Sequence, residues 1–136
     1  MNLHNPLLLD LAVKARLSPA ALDDSVTALR ECEAAVTVCA AAMLSEGEPE
    51  RMREAVSRDM DCSDVVTATC RVLDRAGGGD AALLASLLDA CAMACERSHE
   101  LCAQHAGHLP HCRVCADATR KAAGACRQLR AGLTSA

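Results

Sequence analysis

The chain has 136 residues, enough for one domain with its own core, and 51% of them are apolar. Ten cysteines stand beside no Phe, Tyr or Trp; a core without rings that each bury about 150–250 Å² must be narrow, or filled by something other than hydrocarbon. A net charge of −4 with both signs interspersed argues against a nucleic-acid surface, and apolar runs of a few residues exclude a helix spanning a bilayer, which needs ~20.

The first ten residues, Met1 to Asp10, carry no Lys or Arg ahead of their apolar run, no twin arginine and no small-residue cleavage site. They predict no secretion signal, hence a cytosolic address where thiols stay reduced. Residues 1–17 read as a short N-terminal segment, with an amphipathic helix over 5–16 packed on the outside. Ser18-Pro19 is a helix start, Ser as N-cap and Pro in the first turn, and this helix should end near residue 45, before Glu46-Gly47-Glu48-Pro49. The next is expected over 49–76, ahead of Gly77-Gly78-Gly79. Asp80 caps a third over 80–106, and after Gly107-His108-Leu109-Pro110 a fourth runs over 110–131, leaving 132–136 as a tail. Ala, Leu, Arg, Glu and Met fill these segments and favour helix. The prediction is one all-α domain over 18–131, an antiparallel up-down-up-down four-helix bundle with short loops.

The cysteines fall two on the first long helix (Cys32, Cys39), two on the second (Cys62, Cys70), three on the third (Cys91, Cys95, Cys102) and three on the fourth (Cys112, Cys115, Cys126). Separations within a helix are seven, eight, four, seven, three and eleven residues. At about 100° per residue, each set lies in a stripe no wider than about 80°. The stripes coincide with the apolar faces: Ala28, Leu29 and Val36 on the first helix, Val66 and Leu73 on the second, Leu84, Leu87 and Leu88 on the third. The thiols therefore point into the core.

Buried cysteine can serve simply as a small hydrophobe, which explains two or three such positions more readily than ten. Residues seven apart on a helix have Cα atoms ~10 Å apart along the axis, beyond the ~7 Å reach of a disulfide, and bridges between helices disagree with a reducing address. Zinc and iron–sulfur sites want four ligands converging on a point, and Cys112/Cys115 is the only C-x-x-C. A column of sulfur spread over some 20–30 Å of bundle suits a soft monovalent ion that accepts two or three bridging thiolates, and Cu(I) is that ion.

Antiparallel helices would bring the 44–49 and 106–110 loops to one end, collecting Met43, Met52, His105, His108 and His111. Met43 is in phase with Cys39, Met52 and Asp59 lie near the cysteine face, and His99 lies at the edge of its stripe. The expectation is a Met/His-lined entrance that captures Cu(I), with a leucine-rich far end as a closed floor. Met60 and Met93 fall on the opposite faces and read as packing or subunit contacts.

On these features, the inward stripes, the C-x₃-C followed by C-x₆-C of the third helix and His105…His108…His111-Cys112-x-x-Cys115, the sequence resembles the bacterial copper storage proteins (Csp), in the branch without a secretion signal. The resemblance covers residues 18–131. It implies a four-helix bundle holding many Cu(I) ions and assembly as a homotetramer; this chain has fewer core cysteines than richly loaded members. The expected function is non-enzymatic storage or buffering of copper, with copper chaperones as possible partners. Two alternatives stay open: a structural zinc or iron–sulfur protein, and a thiol redox protein using Cys112 and Cys115.

Overall fold

In the computed structural model, residues 5–46, 49–75, 79–107 and 109–134 are described. They form α1 (Pro6–Lys14), α2 (Pro19–Leu44), α3 (Pro49–Leu73), α4 (Ala81–His105) and α5 (Pro110–Thr134), with no strand among them. Helix starts fall where a side chain can satisfy the orphan N–H groups of the first turn. Ser18 Oγ accepts from Ala21 N at 3.1 Å, and Asp80 Oδ1 accepts from Ala82 N and Leu83 N at 3.0 and 3.1 Å. Asn5 does the same for α1, accepting from Leu7 N at 3.0 Å.

Two boundaries differ from the sequence expectation. α3 ends at Leu73, where Asp74 and Arg75 close a turn through Asp74 N–Cys70 O and Arg75 N–Val72 O bonds; residues 76–78 lie outside the described residues. α5 runs past 131 to Thr134, so residues 132–134 are helix and not tail. The lack of a side chain at Gly132 serves packing. A Cβ at that position would collide with the Ala15 carbonyl oxygen, so glycine lets α5 run past the end of α1.

The four long helices form a closed ring in which α2 and α4 each pack between α3 and α5. Cross-helix partners give the directions. Arg30 of α2 pairs with Asp74 beyond the end of α3, while Thr37 meets Ser63 nearer its middle. Cys102 and Arg130 similarly pair with Cys115 and Asp89 across α4 and α5. As one helix of each adjacent pair advances, its neighbour recedes, as the short loops require. Opposite helices run parallel: Cys32 and Cys39 of α2 face Cys95 and Cys102 of α4.

α1 lies across one end of the ring. Asn5 Nδ2 donates to Asp74 O at 2.9 Å, just beyond α3, and its far end meets α5 at Gly132. The chain then turns back into α2 at Arg16, whose φ is 58°. Leu8 and Leu11 join Leu22, Leu29, Leu73, Leu84, Leu88 and Leu129 in a buried hydrocarbon floor, each such side chain stabilising the fold by about 1.5–3 kcal/mol. α1, packed outside the ring as expected, adds Leu8 and Leu11 to this leucine-rich end.

Candidate metal centre

All ten cysteines are free and buried, and only Cys70 has measurable exposure, at 3%. Helical phase accounts for this: the stripes of four helices converge on one axis, while Met60 and Met93 face outward and are more than half exposed. The thiols form a column with distinct levels.

In the middle, Cys32, Cys62 and Cys95 from three helices make a nearly equilateral triangle with Sγ–Sγ edges of 3.9, 4.0 and 3.8 Å. An ion at its centre would stand roughly 2.3 Å from each sulfur, a metal–thiolate bond length. No fourth Cys, His, Asp or Glu among the described residues joins this group.

Toward the loop end, Cys39, Asp59, Cys102 and Cys115 form a second group. Cys102 Sγ lies 3.1 Å from Cys115 Sγ and 3.9 Å from Cys39 Sγ. Asp59, fully buried, accepts through Oδ1 from Ser98 Oγ at 2.6 Å, Cys102 Sγ at 3.4 Å and Cys115 Sγ at 3.6 Å. Its Oδ2 is buried with no hydrogen-bond partner among the described residues, which is costly and leaves lone pairs ready for a cation.

Outermost, Cys39 also belongs to a group with His111 and Cys112. His111 Nδ1 lies 3.4 Å from Cys39 Sγ and 3.5 Å from Cys112 Sγ, and the two sulfurs are 3.7 Å apart. His111 Nε2 points the other way, 3.3 Å from Glu46 Oε1. Because Cys39 is common to the outer two groups, the levels are continuous. Toward the floor lie Cys70, Cys91 and Cys126.

A low-dielectric core holds few free charges. Burial pushes both Cys70 and Cys112 up to about 11. Within the clusters S–H neighbours favour the anion of one sulfur over the others: Cys32 is drawn below the ordinary thiol range by S–H groups of Cys62 and Cys95, which are themselves pushed above it. Cys115 is likewise drawn down by Cys102 and Cys39, and Cys91 by Cys126 and Cys95. Burial raises the Asp59 carboxyl to about 7, against the Ser98 hydrogen bond that favours its anion. The metal-free column is a stack of largely protonated thiols.

The remaining predicted positions are spread around this axis. Met43 is fully buried and Met52 half-buried against the core. His105 is half-buried at the end of α4 and joins none of the three converging groups. His99 turns to the α4–α5 seam, where Nδ1 donates to Ala116 O at 2.7 Å; it too joins no group. His108 lies outside the described residues. Cys112 and Cys115, the C-x-x-C, fall in two adjacent groups that share Cys39, Cys112 with His111 and Cys115 with Asp59 and Cys102. Two polar residues at the site went unread in the sequence. Ser98 is in helical phase between Cys95 and Cys102, a signal that was there to find. Glu46 sits in a loop, and no periodicity points to it.

A ring of antiparallel helices lined at successive levels by converging thiols defines a helical-bundle protein that holds soft metal ions in its core. The family model described as copper storage protein (Csp) matches residues 18–131. The chain belongs to the copper storage protein family, a membership that suggests a non-enzymatic role. Among solved structures it is similar to the copper storage protein Ccsp from Streptomyces lividans loaded with 10 copper equivalents. The two share 42% identity over 85% of this chain and 88% of that one, with a TM-score of 0.81. A structure of copper loading to a cytosolic copper storage protein from Streptomyces lividans, with five coppers, has 40% identity over 88% of this chain and 97% of that one, at a TM-score of 0.80. A variant of Streptomyces lividans Ccsp with one histidine replaced by alanine matches at 42% identity over 85% and 97% of the two chains, with a TM-score of 0.81. No curated protein matches the chain.

Proposed function

We propose that this chain stores many Cu(I) ions on its ten core cysteines, Cys32, Cys39, Cys62, Cys70, Cys91, Cys95, Cys102, Cys112, Cys115 and Cys126. The Cys32–Cys62–Cys95 triangle carries the reading. Three soft donors at bond-length radius around a common centre, with no fourth ligand converging among the described residues, suit trigonal Cu(I) better than tetrahedral zinc or an iron–sulfur cluster. Charge supports the same choice. With one monovalent ion per thiolate and sulfurs bridging neighbouring ions, each ion replaces one thiol proton and a fully loaded column stays as neutral as before, whereas Zn²⁺ on four unshared thiolates leaves two negative charges at each site.

Copper enters at the loop end. His111 meets the outermost thiols, Met43 supplies a buried thioether beside them and Asp59 offers an oxygen one level in, while Met52 and His105 line the approach; His108, outside the described residues, is a further candidate donor from the sequence. His99 serves as an auxiliary donor at the side. Thioether and imidazole hold Cu(I) less tightly than thiolate, so ions move inward along a rising affinity, while the leucine floor closes the other end. The cytosolic setting of the Streptomyces lividans relative supports the same address here, with a copper chaperone as donor. The exposed Val38, Met60, Met93 and Val114 on the outer faces support assembly into a homotetramer, which light scattering would check.

Anaerobic titration of the reduced protein with Cu(I) against a competing chelator is the test. Uptake near or above the ten thiols supports storage, whereas saturation at one or two ions per chain refutes it. His111→Ala should slow loading and leave final capacity close to that of the parent.

A further inference from the structure

The mouth of the column is held by a residue outside the ligand set. We infer that Glu46 is a positioning residue for copper capture, orienting the His111 ring so that its Nδ1 lone pair faces Cys39 and Cys112. The inference rests on the storage reading above. Glu46 Oε1 lies 3.3 Å from His111 Nε2. A carboxylate accepts hydrogen bonds and does not donate them, so it places the ring proton on Nε2. In the neutral ring Nδ1 is then the acceptor, and it stands 3.4 and 3.5 Å from the two outermost sulfurs. The opposite tautomer would aim an N–H at the thiols, where it could not take a metal, and would leave two acceptors face to face at Glu46.

The two side chains come from different elements, Glu46 from just beyond α2 and His111 from the first turn of α5. Their contact therefore also ties these helix ends together across the entrance. His111 is mostly covered, at 17% side-chain exposure, and Glu46 more open, at 38%. The bond thus sits at the boundary where the ring could otherwise swing out toward solvent. Imidazole ligands are generally held in this way by a carboxylate on the second nitrogen, and losing that partner costs on the order of 10–100-fold in metal affinity or activity.

The test uses the full chain with Glu46→Ala and Glu46→Gln. Gln keeps an acceptor for Nε2–H and removes the charge; Ala removes both. Imidazole ¹⁵N shifts of the reduced metal-free protein should show His111 as the Nε2–H tautomer in the parent and Gln variant, with the Nδ1–H form appearing in the Ala variant. Stopped-flow thiolate–copper absorption should show Ala loading on the order of tenfold slower, Gln near the parental rate, and final capacity equal in all three. In a His111→Ala background, Glu46→Ala should add nothing. An unchanged tautomer in Glu46→Ala, parental loading by that variant, or full additivity with His111→Ala overturns the inference. Equal slowing by Gln and Ala also overturns it, because Glu46 would then act through charge on the incoming ion. If the parent itself takes up no copper, storage fails, and the tautomer measurement, which needs no metal, still decides what Glu46 does.

Discussion

Asp59→Asn provides a quantitative check on the column. The change removes a charge and little volume from a site with no exposure, where one carboxylate oxygen has no partner. In the folded metal-free protein burial raises this carboxyl from 3.8 to about 7, while the unfolded chain keeps the ordinary value. Between those values the folded state holds a proton that the unfolded state has released, so folding becomes less favourable as pH rises, by about 1.4 kcal/mol per pH unit. The loss levels off above the folded value. From pH 5 to pH 7 the parent should therefore lose about 2–3 kcal/mol of stability through this one group. Urea unfolding followed by far-ultraviolet circular dichroism, with reductant and a copper chelator present, measures it. The difference between parent and Asp59→Asn reads this carboxyl together with its coupling to the neighbouring thiols, Cys115 above all. The variant should gain on the parent by that amount over the interval. A constant difference across pH 5 to pH 7 would refute the assignment of a buried, proton-retaining Asp59.

Loading Cu(I) into the unbuffered reduced protein should release about one proton per ion, because thiols must deprotonate to bind; pH-stat titration reads this, and copper affinity should weaken as pH falls. Cys95→Ser breaks the triangle and should lower saturation by at least one ion in the chelator titration, while the helical content stays that of the parent. Gly132→Ala drives a methyl group into the Ala15 carbonyl and should destabilise the fold by about 1–3 kcal/mol, with faster proteolysis near Leu17 as α1 lifts. Leu29→Ala, from a fully buried floor position, should cost about 2–5 kcal/mol in the same urea assay.

The helices, their order and the inward stripes were legible because each follows from the chain's own periodicity. A residue's angle around a helix depends on its number alone, so Cys32 and Cys39, or Cys91, Cys95 and Cys102, could be placed on one face without knowing the partner helix. The caps at Ser18 and Asp80 were legible for a similar reason, since a cap acts within three residues of itself. The axial direction followed from loop length, because short loops force neighbours to run antiparallel. The close approach at Gly132 was not legible, because it concerns a backbone atom more than a hundred residues away.

Sequence alone thus determined that this is a helical bundle with a column of thiols, both consequences of local spacing. Tertiary structure decided which thiols meet. Helical phase puts Cys112 and Cys115 on one stripe, but the offset between helices puts Cys112 with His111 and Cys115 with Cys102 and Asp59, on either side of a shared Cys39. The same offset makes a triangle of Cys32, Cys62 and Cys95, buries Asp59 against Ser98, and carries Glu46 from a loop to His111. It is set by how side chains of neighbouring helices interlock, a property of pairs of surfaces that no single stretch of chain contains.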